Sequence, residues 1–386
     1  MSRKVLIFLF ILFASAMLAI GRFYDSRLEI YGVNLTILLS SLYCIFLIAL
    51  FLTKKFIKIS VLKVLQYLFY FSLIVSNLVL WIFYDVQDYG FIKFINLLLI
   101  TIPISIIVSE YFKIKDRNFF IYILLSISVF LLLIAIFNFS SLSSTRSGVL
   151  GGGPIVLSRW LCFGALILLF HPKIKNFRLL YFTIFLVMSL FTGSRGPFFS
   201  LLFVMFIYLL MNFRRIFLKV LFVLTLLISI IFISGLHNKL AEFATVSRIF
   251  MNINEGGFRK STARSILYKT SINEFISYPF GVGSGNFAVY SDKRMYLENK
   301  QLFYPHNIFL EIFTEFGLFS GLLFFIYILY STIKSYKLNI KDRNNDYGNL
   351  LFYTFVFLIL NSMISGDLND ARLLLVFIPL MSIENK

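Results

Sequence analysis

Phe119 to Asn138 reads Phe-Phe-Ile-Tyr-Ile-Leu-Leu-Ser-Ile-Ser-Val-Phe-Leu-Leu-Leu-Ile-Ala-Ile-Phe-Asn, twenty residues without a charge. At 1.5 Å per residue such a run crosses the roughly 30 Å hydrocarbon core of a bilayer as a helix. Lipid offers no partner to a backbone amide, so the run satisfies its own hydrogen bonds and is helical. Similar runs recur on both sides of it, giving about twelve spans: roughly 5–21, 33–52, 61–84, 91–110, 119–138, 154–171, 177–192, 196–212, 216–236, 306–333, 348–366 and 371–384. Hydrophobic residues make up 59% of the chain, Phe occurs 49 times and the mean hydropathy is +0.88. This lies far above the soluble average and excludes a water-soluble globule. The fold class is an all-α, polytopic integral membrane protein. The first run follows Arg3 and Lys4 as a signal peptide would, but the many later spans make it an uncleaved first helix.

Charge orients the spans. Arg3 and Lys4 precede the first span, and Lys54, Lys55 and Lys58 follow the second. Lys113, Lys115 and Arg117 follow the fourth, Lys173, Lys175 and Arg178 the sixth, Arg214 and Arg215 the eighth, and Lys334, Lys337, Lys341 and Arg343 the tenth. Basic residues on alternate connections put both termini in the cytoplasm. The formal charge of +18 is explained this way and calls for no nucleic acid. Three regions follow: residues 1–236 with spans one to nine, 237–303 as an extracytoplasmic loop with an amphipathic helix, and 304–386 with spans ten to twelve.

The two sides differ in their cations. The cytoplasmic side holds about fourteen Lys and six Arg, the outer side about ten Arg and six Lys. Guanidinium grips phosphate with a planar fork and stays charged at every physiological pH. Four outer arginines stand out: Arg146 ahead of Gly151-Gly152-Gly153-Pro154, Arg159 one turn inside a span, Arg195 in a tight turn, and Arg264 opening the amphipathic stretch. A charge inside a span is costly and marks a site. These arginines point to an anionic, diphosphate-type ligand. ATP and nucleotide sugars are absent on the outer face, so a donor there must arrive already energised.

The polar loop ends at Tyr304-Pro305-His306-Asn307-Ile308-Phe309-Leu310-Glu311. His306 has the titration range of a general base. Asn307 fixes the helix entry, and Glu311 and Glu315 follow on the same face, placed to orient the imidazole or to bind sugar hydroxyls. His171 and His237 read as interfacial, and Cys44 and Cys162 as small buried hydrophobes. Gly281-Val282-Gly283-Ser284-Gly285-Asn286-Phe287 follows a helix rather than a strand, so it is a turn and not a nucleotide loop. Asp85/Asp88 and Asp367/Asp370 lack His or Cys ligands nearby, so neither a metal nor another cofactor is expected.

Taken in order, Gly193-Ser194-Arg195-Gly196-Pro197, Arg264, Pro279-Phe280-Gly281-Val282-Gly283-Ser284-Gly285-Asn286-Phe287, Pro305-His306-Asn307-Ile308-Phe309-Leu310-Glu311 and Glu315-Phe316-Gly317-Leu318 resemble the O-antigen ligase and O-antigen polymerase (Wzy-type) superfamily. The resemblance covers about residues 145–330. It implies a glycosyltransferase-C-like fold and metal-independent, inverting transfer of a glycan from undecaprenyl pyrophosphate at the outer face of the bacterial inner membrane. The acceptor is a second lipid-linked repeat unit in a polymerase and the lipid A–core sugar in a ligase; the polymerase is preferred. Arg195 and Arg264 take the diphosphate role, Arg146 and Arg159 match it more loosely, and His306 takes the role of base. A flippase or exporter of the same lipid-linked glycan is the competing class; it should show cations deep in several spans, and only Arg159 is read that way here.

Overall fold

The computed structural model describes residues 2–30, 33–53, 59–137, 153–172, 177–212, 263–290, 296–297, 300–301, 303–339 and 346–383. Among the described residues, seven helices are long and apolar enough to cross a membrane: Arg3–Ile20, Leu35–Leu52, Val61–Phe83, Asp88–Tyr111, Ile114–Phe137, Ile308–Leu338 and Tyr347–Ile364. Four shorter apolar helices, Pro154–Phe170, Arg178–Phe191, Arg195–Met211 and Arg372–Met381, fall on four more of the expected spans. The remaining expected span, 216–236, lies outside the described residues, as do Arg146 and His237. The architecture is helical; the two antiparallel ladders, Glu29–Ile30 with Val33–Asn34 and Tyr296–Leu297 with Lys300–Gln301, hold two residues per strand. Large apolar side chains face outward along the long helices, among them Ile45, Ile48 and Leu52 of one and Phe71, Leu78 and Ile82 of the next. An outward apolar surface on helices of spanning length is that of a multi-pass membrane protein.

The chain forms two compact units. Unit 1 comprises Met1–Leu124, Ser261–Leu338 and Ser362–Lys386. It contains α1 (Arg3–Ile20), α2 (Leu35–Leu52), α3 (Val61–Phe83), α4 (Asp88–Asn96), α5 (Ile102–Tyr111) and the start of α6 (Ile114–Phe137). Asn34 caps α2, its side chain accepting from the amides of Thr36 and Ile37. A π turn over Leu97–Thr101 joins α4 to α5 just before Pro103. Proline has no amide to give the carbonyl four residues back. That carbonyl, on Leu99, accepts the Tyr43 hydroxyl at 3.0 Å instead. Arg372 performs a similar task at the end of α1, donating from Nη2 to the Ala19 carbonyl at 3.1 Å and from Nε to that of Leu18.

Unit 2 comprises Leu125–Lys260 and Asn339–Asn361. Its described helices include α7 (Pro154–Phe170), α8 (Arg178–Phe191) and α9 (Arg195–Asn212). α7 is buried from Leu157 to Phe170. Gly164 permits this: a Cβ there would lie 2.6 Å from the Phe185 ring and 2.8 Å from Ser128. Phe170, Tyr208 and Tyr353 pack as an aromatic cluster within the unit.

Candidate active site

In unit 1 the loop after α10 (Ala263–Ser277) closes on a deliberate break in α12 (Ile308–Asn339). Gly317 stands at φ 82°, ψ 178°, outside helical space. The break frees the carbonyls of Thr314 and Glu315, which an unbroken helix would pair with amides four residues on. The amide of Val282 donates to Thr314 O at 3.1 Å and that of Gly283 to Glu315 O at 2.8 Å. In return Leu318 N donates to the Pro279 carbonyl at 2.8 Å. A side chain at 317 would run into the Phe280 backbone, so only glycine fits. Ser284 N donates to Asn77 Oδ1 at 2.7 Å, and Asn286 Nδ2 donates to the carbonyls of Asp85 and Val282. The glycine stretch is therefore a clip between α3, α10, α12 and the α3–α4 turn. It is the turn that the sequence indicated, placed deeper than a surface loop.

His306 stands immediately before α12. Its φ is +59°, rare for a residue with a side chain. Asn307 holds this entry: its Oδ1 accepts from Phe309 N at 3.0 Å and Leu310 N at 3.2 Å. The Tyr304 ring stands edge-on to the imidazole, 4.4 Å between centroids. Burial, then the Arg264 charge, lower the His306 pKa to about 4, with Asp370 opposing. The imidazole is neutral at physiological pH. Among the described residues it makes no hydrogen bond, so a ring nitrogen is open to accept a proton. Arg264, near the start of α10, is exposed.

One turn below, the chemistry is different. Lys93 of α4 is 3% exposed, and Glu311 and Glu315 are fully buried. Lys93 Nζ donates to Glu315 Oε2 at 2.5 Å and is paired with Glu311 Oε1. Glu311 Oε1 also accepts from Leu368 N at 3.0 Å. The Tyr89 hydroxyl donates to Asp367 Oδ2 at 2.5 Å. Glu311 and Glu315, offered by the sequence as helpers of His306, thus serve Lys93. The sequence reading passed over Lys93, counting it only among the outer-side cations; a lysine two residues inside an expected span looks like one that reaches back to the interface. It also missed Glu274, a buried carboxyl on the apolar stripe of α10.

The remaining arginines lie in unit 2. Arg195 opens α9, half-buried, after Thr192 whose Oγ1 accepts from Ser194 N at 3.2 Å. A guanidinium at a helix N-terminus reinforces the positive end of the helix dipole. Arg159 is buried in the second turn of α7. The structure thus brings Arg264 and His306 together within one unit, and holds Arg159 and Arg195 on the packed helices α7 and α9 of the other.

One reading is corrected. Arg159 is not alone as a cation deep in the helices: Lys93 and Arg372 are buried too. Both are engaged by the protein, Lys93 by two carboxylates and Arg372 by the carbonyls of α1.

Residues 180–325 match the family model described as O-antigen ligase. The match takes in Arg195, Arg264, the glycine clip, His306, Glu311, Glu315 and Gly317. No curated protein matches the chain. Over residues 180–325 the chain is thus similar to the O-antigen ligase family.

Proposed function

We propose that the protein is an inverting, metal-independent glycosyltransferase that polymerises undecaprenyl-pyrophosphate-linked repeat units at the outer face of the bacterial inner membrane, with both termini in the cytoplasm. The observation that carries this is His306: an imidazole held neutral, in a left-handed backbone at a helix entry, beside the guanidinium of Arg264. His306 takes the proton of an acceptor hydroxyl. The oxygen attacks the anomeric carbon, its bond to the diphosphate oxygen breaks, and the configuration inverts. Arg264 receives the charge that grows on the leaving diphosphate, and Arg195, Arg159 and Arg146 are the further guanidinium candidates for that role. A ligase would run the same chemistry with lipid A–core as acceptor. The buried Lys93 and Arg372 do not favour a carrier, because protein groups already occupy both.

The test uses purified full-length protein in lipid with a synthetic polyprenyl-diphosphate glycan. His306→Ala should lower transfer by about a hundredfold or more while leaving donor affinity intact. Polymer formed at the normal rate would remove His306 as the base. Offering repeat-unit and lipid A–core acceptors side by side separates polymerase from ligase.

A further inference from the structure

The inward face of α10 runs Leu267, Ser271, Glu274, while Arg264, Lys269, Ile272 and Asn273 are exposed. Leu267 packs on Phe287, and Ser271 Oγ donates to the Leu267 carbonyl at 2.7 Å. Phe275 meets Phe313 of α12 at 5.4 Å, so this part of α10 lies on the segment of α12 that carries Glu311 and Glu315. Glu274 is 4% exposed, and neither of its carboxyl oxygens has a hydrogen-bond partner among the described residues.

Among the described residues the charges nearby do not balance. Three buried carboxyls, Glu274, Glu311 and Glu315, accompany one ammonium, Lys93, which holds the latter two. The charge of Glu315 on α12 reaches Glu274, Glu311 and Glu315 both pair with Lys93, and α11 (Phe287–Tyr290) offers only Tyr290 as a titratable group. An unpaired carboxylate in such a place is far costlier than a neutral acid, and two neighbouring carboxyls cannot both ionise cheaply.

We infer that Glu274 is a proton-binding site: a neutral carboxylic acid that seats α10 on α12, and whose ionisation lifts this helix and withdraws Arg264 from a diphosphate donor. The coupling to donor rests on the function proposed above. Burial first, and the charge of Glu315 second, push the carboxyl up to about 9. The sign follows: a raised pKa stabilises the seated form fully below the unfolded value of about 4.5, and that contribution is lost as pH rises through about 9. Glu274 is a positioning residue; it acts through Arg264.

The experiment uses the full chain in lipid nanodiscs. At neutral pH the infrared spectrum should contain a protonated-carboxyl band that Glu274→Gln lacks. Raising the pH should remove this band and, in step, speed hydrogen exchange over residues 264–278 after correction for intrinsic rates. Affinity for farnesyl diphosphate should weaken about tenfold one pH unit above the ionisation, since about a tenth of the molecules remain seated. Glu274→Gln should keep the neutral-pH affinity throughout. Loss of no band in Glu274→Gln, or an alkaline loss of affinity equal to that of the unsubstituted protein, overturns the proposal. If Glu274→Gln does not assemble, the unsubstituted protein decides: exchange that rises while the band persists also overturns it. Arg264→Ala is the separate check on the donor reading. If it binds farnesyl diphosphate normally, that reading and the coupling through Arg264 both fail, while the infrared and exchange results still decide the proton site.

Discussion

The first two turns of α12 and the two residues before them hold two polar sites of opposite character. At the entry, His306 is partly exposed, bent into left-handed backbone and unbonded, with a cation for a neighbour. One turn in, Glu311 and Glu315 are fully buried and tied to Lys93. The lower site ties one oxygen of each carboxyl to Lys93, and that of Glu311 also to the Leu368 amide, so it fixes α4, α12 and the loop before the helix Arg372–Met381 relative to one another. The upper site leaves a nitrogen available, so it can act on something else. A buried charge, taken alone, does not separate the two roles; what its polar atoms already bond does.

Breaking the lower site should have the largest effect. Lys93→Met leaves two carboxyls without their cation, and removing one partner of a buried pair costs about 3–5 kcal/mol. Thermal unfolding in detergent should show it as a large fall in Tm. Adding Glu315→Gln to Lys93→Met should recover part of the loss, because one fewer buried charge then goes unmatched. No recovery would mean that Lys93 acts by packing rather than by charge.

Breaking the upper site should spare the fold and stop the chemistry. His306→Ala should cost about a hundredfold or more in transfer, near 2.7 kcal/mol in barrier, with little change in Tm. The pH profile sharpens this. For the free enzyme, kcat/KM should stay level as pH falls to about 5 and drop as the imidazole protonates near 4. The anionic donor opposes the effect of Arg264, so the acid limb of kcat should lie at higher pH. An acid limb of kcat/KM at the ordinary histidine value would show that His306 is neither buried nor beside Arg264 in the working enzyme. The same depressed pKa makes the contribution of His306 to stability present above about 6.5 and lost as pH falls through about 4.

The two sites differ equally in how far the sequence revealed them. The spans were legible because hydrocarbon runs such as Phe119–Asn138 have no alternative in lipid. The helix entry beside His306 was legible because Pro305 and Asn307 announce it after a long polar loop. The Lys93 pairs were not, since they join positions 222 residues apart in one case, and nothing local to Phe91-Ile92-Lys93-Phe94 names a partner. The clip was half legible: three alternate glycines foretold a turn, but Gly317 sits in Glu315-Phe316-Gly317-Leu318-Phe319, which reads as uninterrupted helix. The break exists because tertiary amides from Val282 and Gly283 replace the helical ones, and that exchange is invisible to local pattern.

The clip joins the two sites, and it should respond at an intermediate level. Gly317→Ala forces a Cβ towards the Phe280 backbone in a conformation that L-residues avoid. Strain of this kind costs about 1–3 kcal/mol. Hydrogen exchange at Val282 and Gly283 should rise along with the fall in Tm, because their acceptors are the carbonyls of the broken turn. An unchanged Tm would mean that α12 can close into a regular helix without the glycine.

The smallest effect should come from Asn307, and it bears most directly on the contrast. The side chain caps α12 through the amides of Phe309 and Leu310, and the loss of such a cap costs about 1 kcal/mol. Asn307→Asp keeps the acceptor oxygen, so its stability should stay close to that of the parent. Asn307→Ala removes it and relaxes the backbone that holds His306 at φ +59°. If the imidazole works by position, Asn307→Ala should lower kcat several-fold while KM for the donor holds, and Asn307→Asp should restore most of the rate. If both variants fall equally in kcat, the amide group contacts the reacting molecules itself, and the division between a bonded scaffold and an open catalytic rim must be drawn one residue further along the helix.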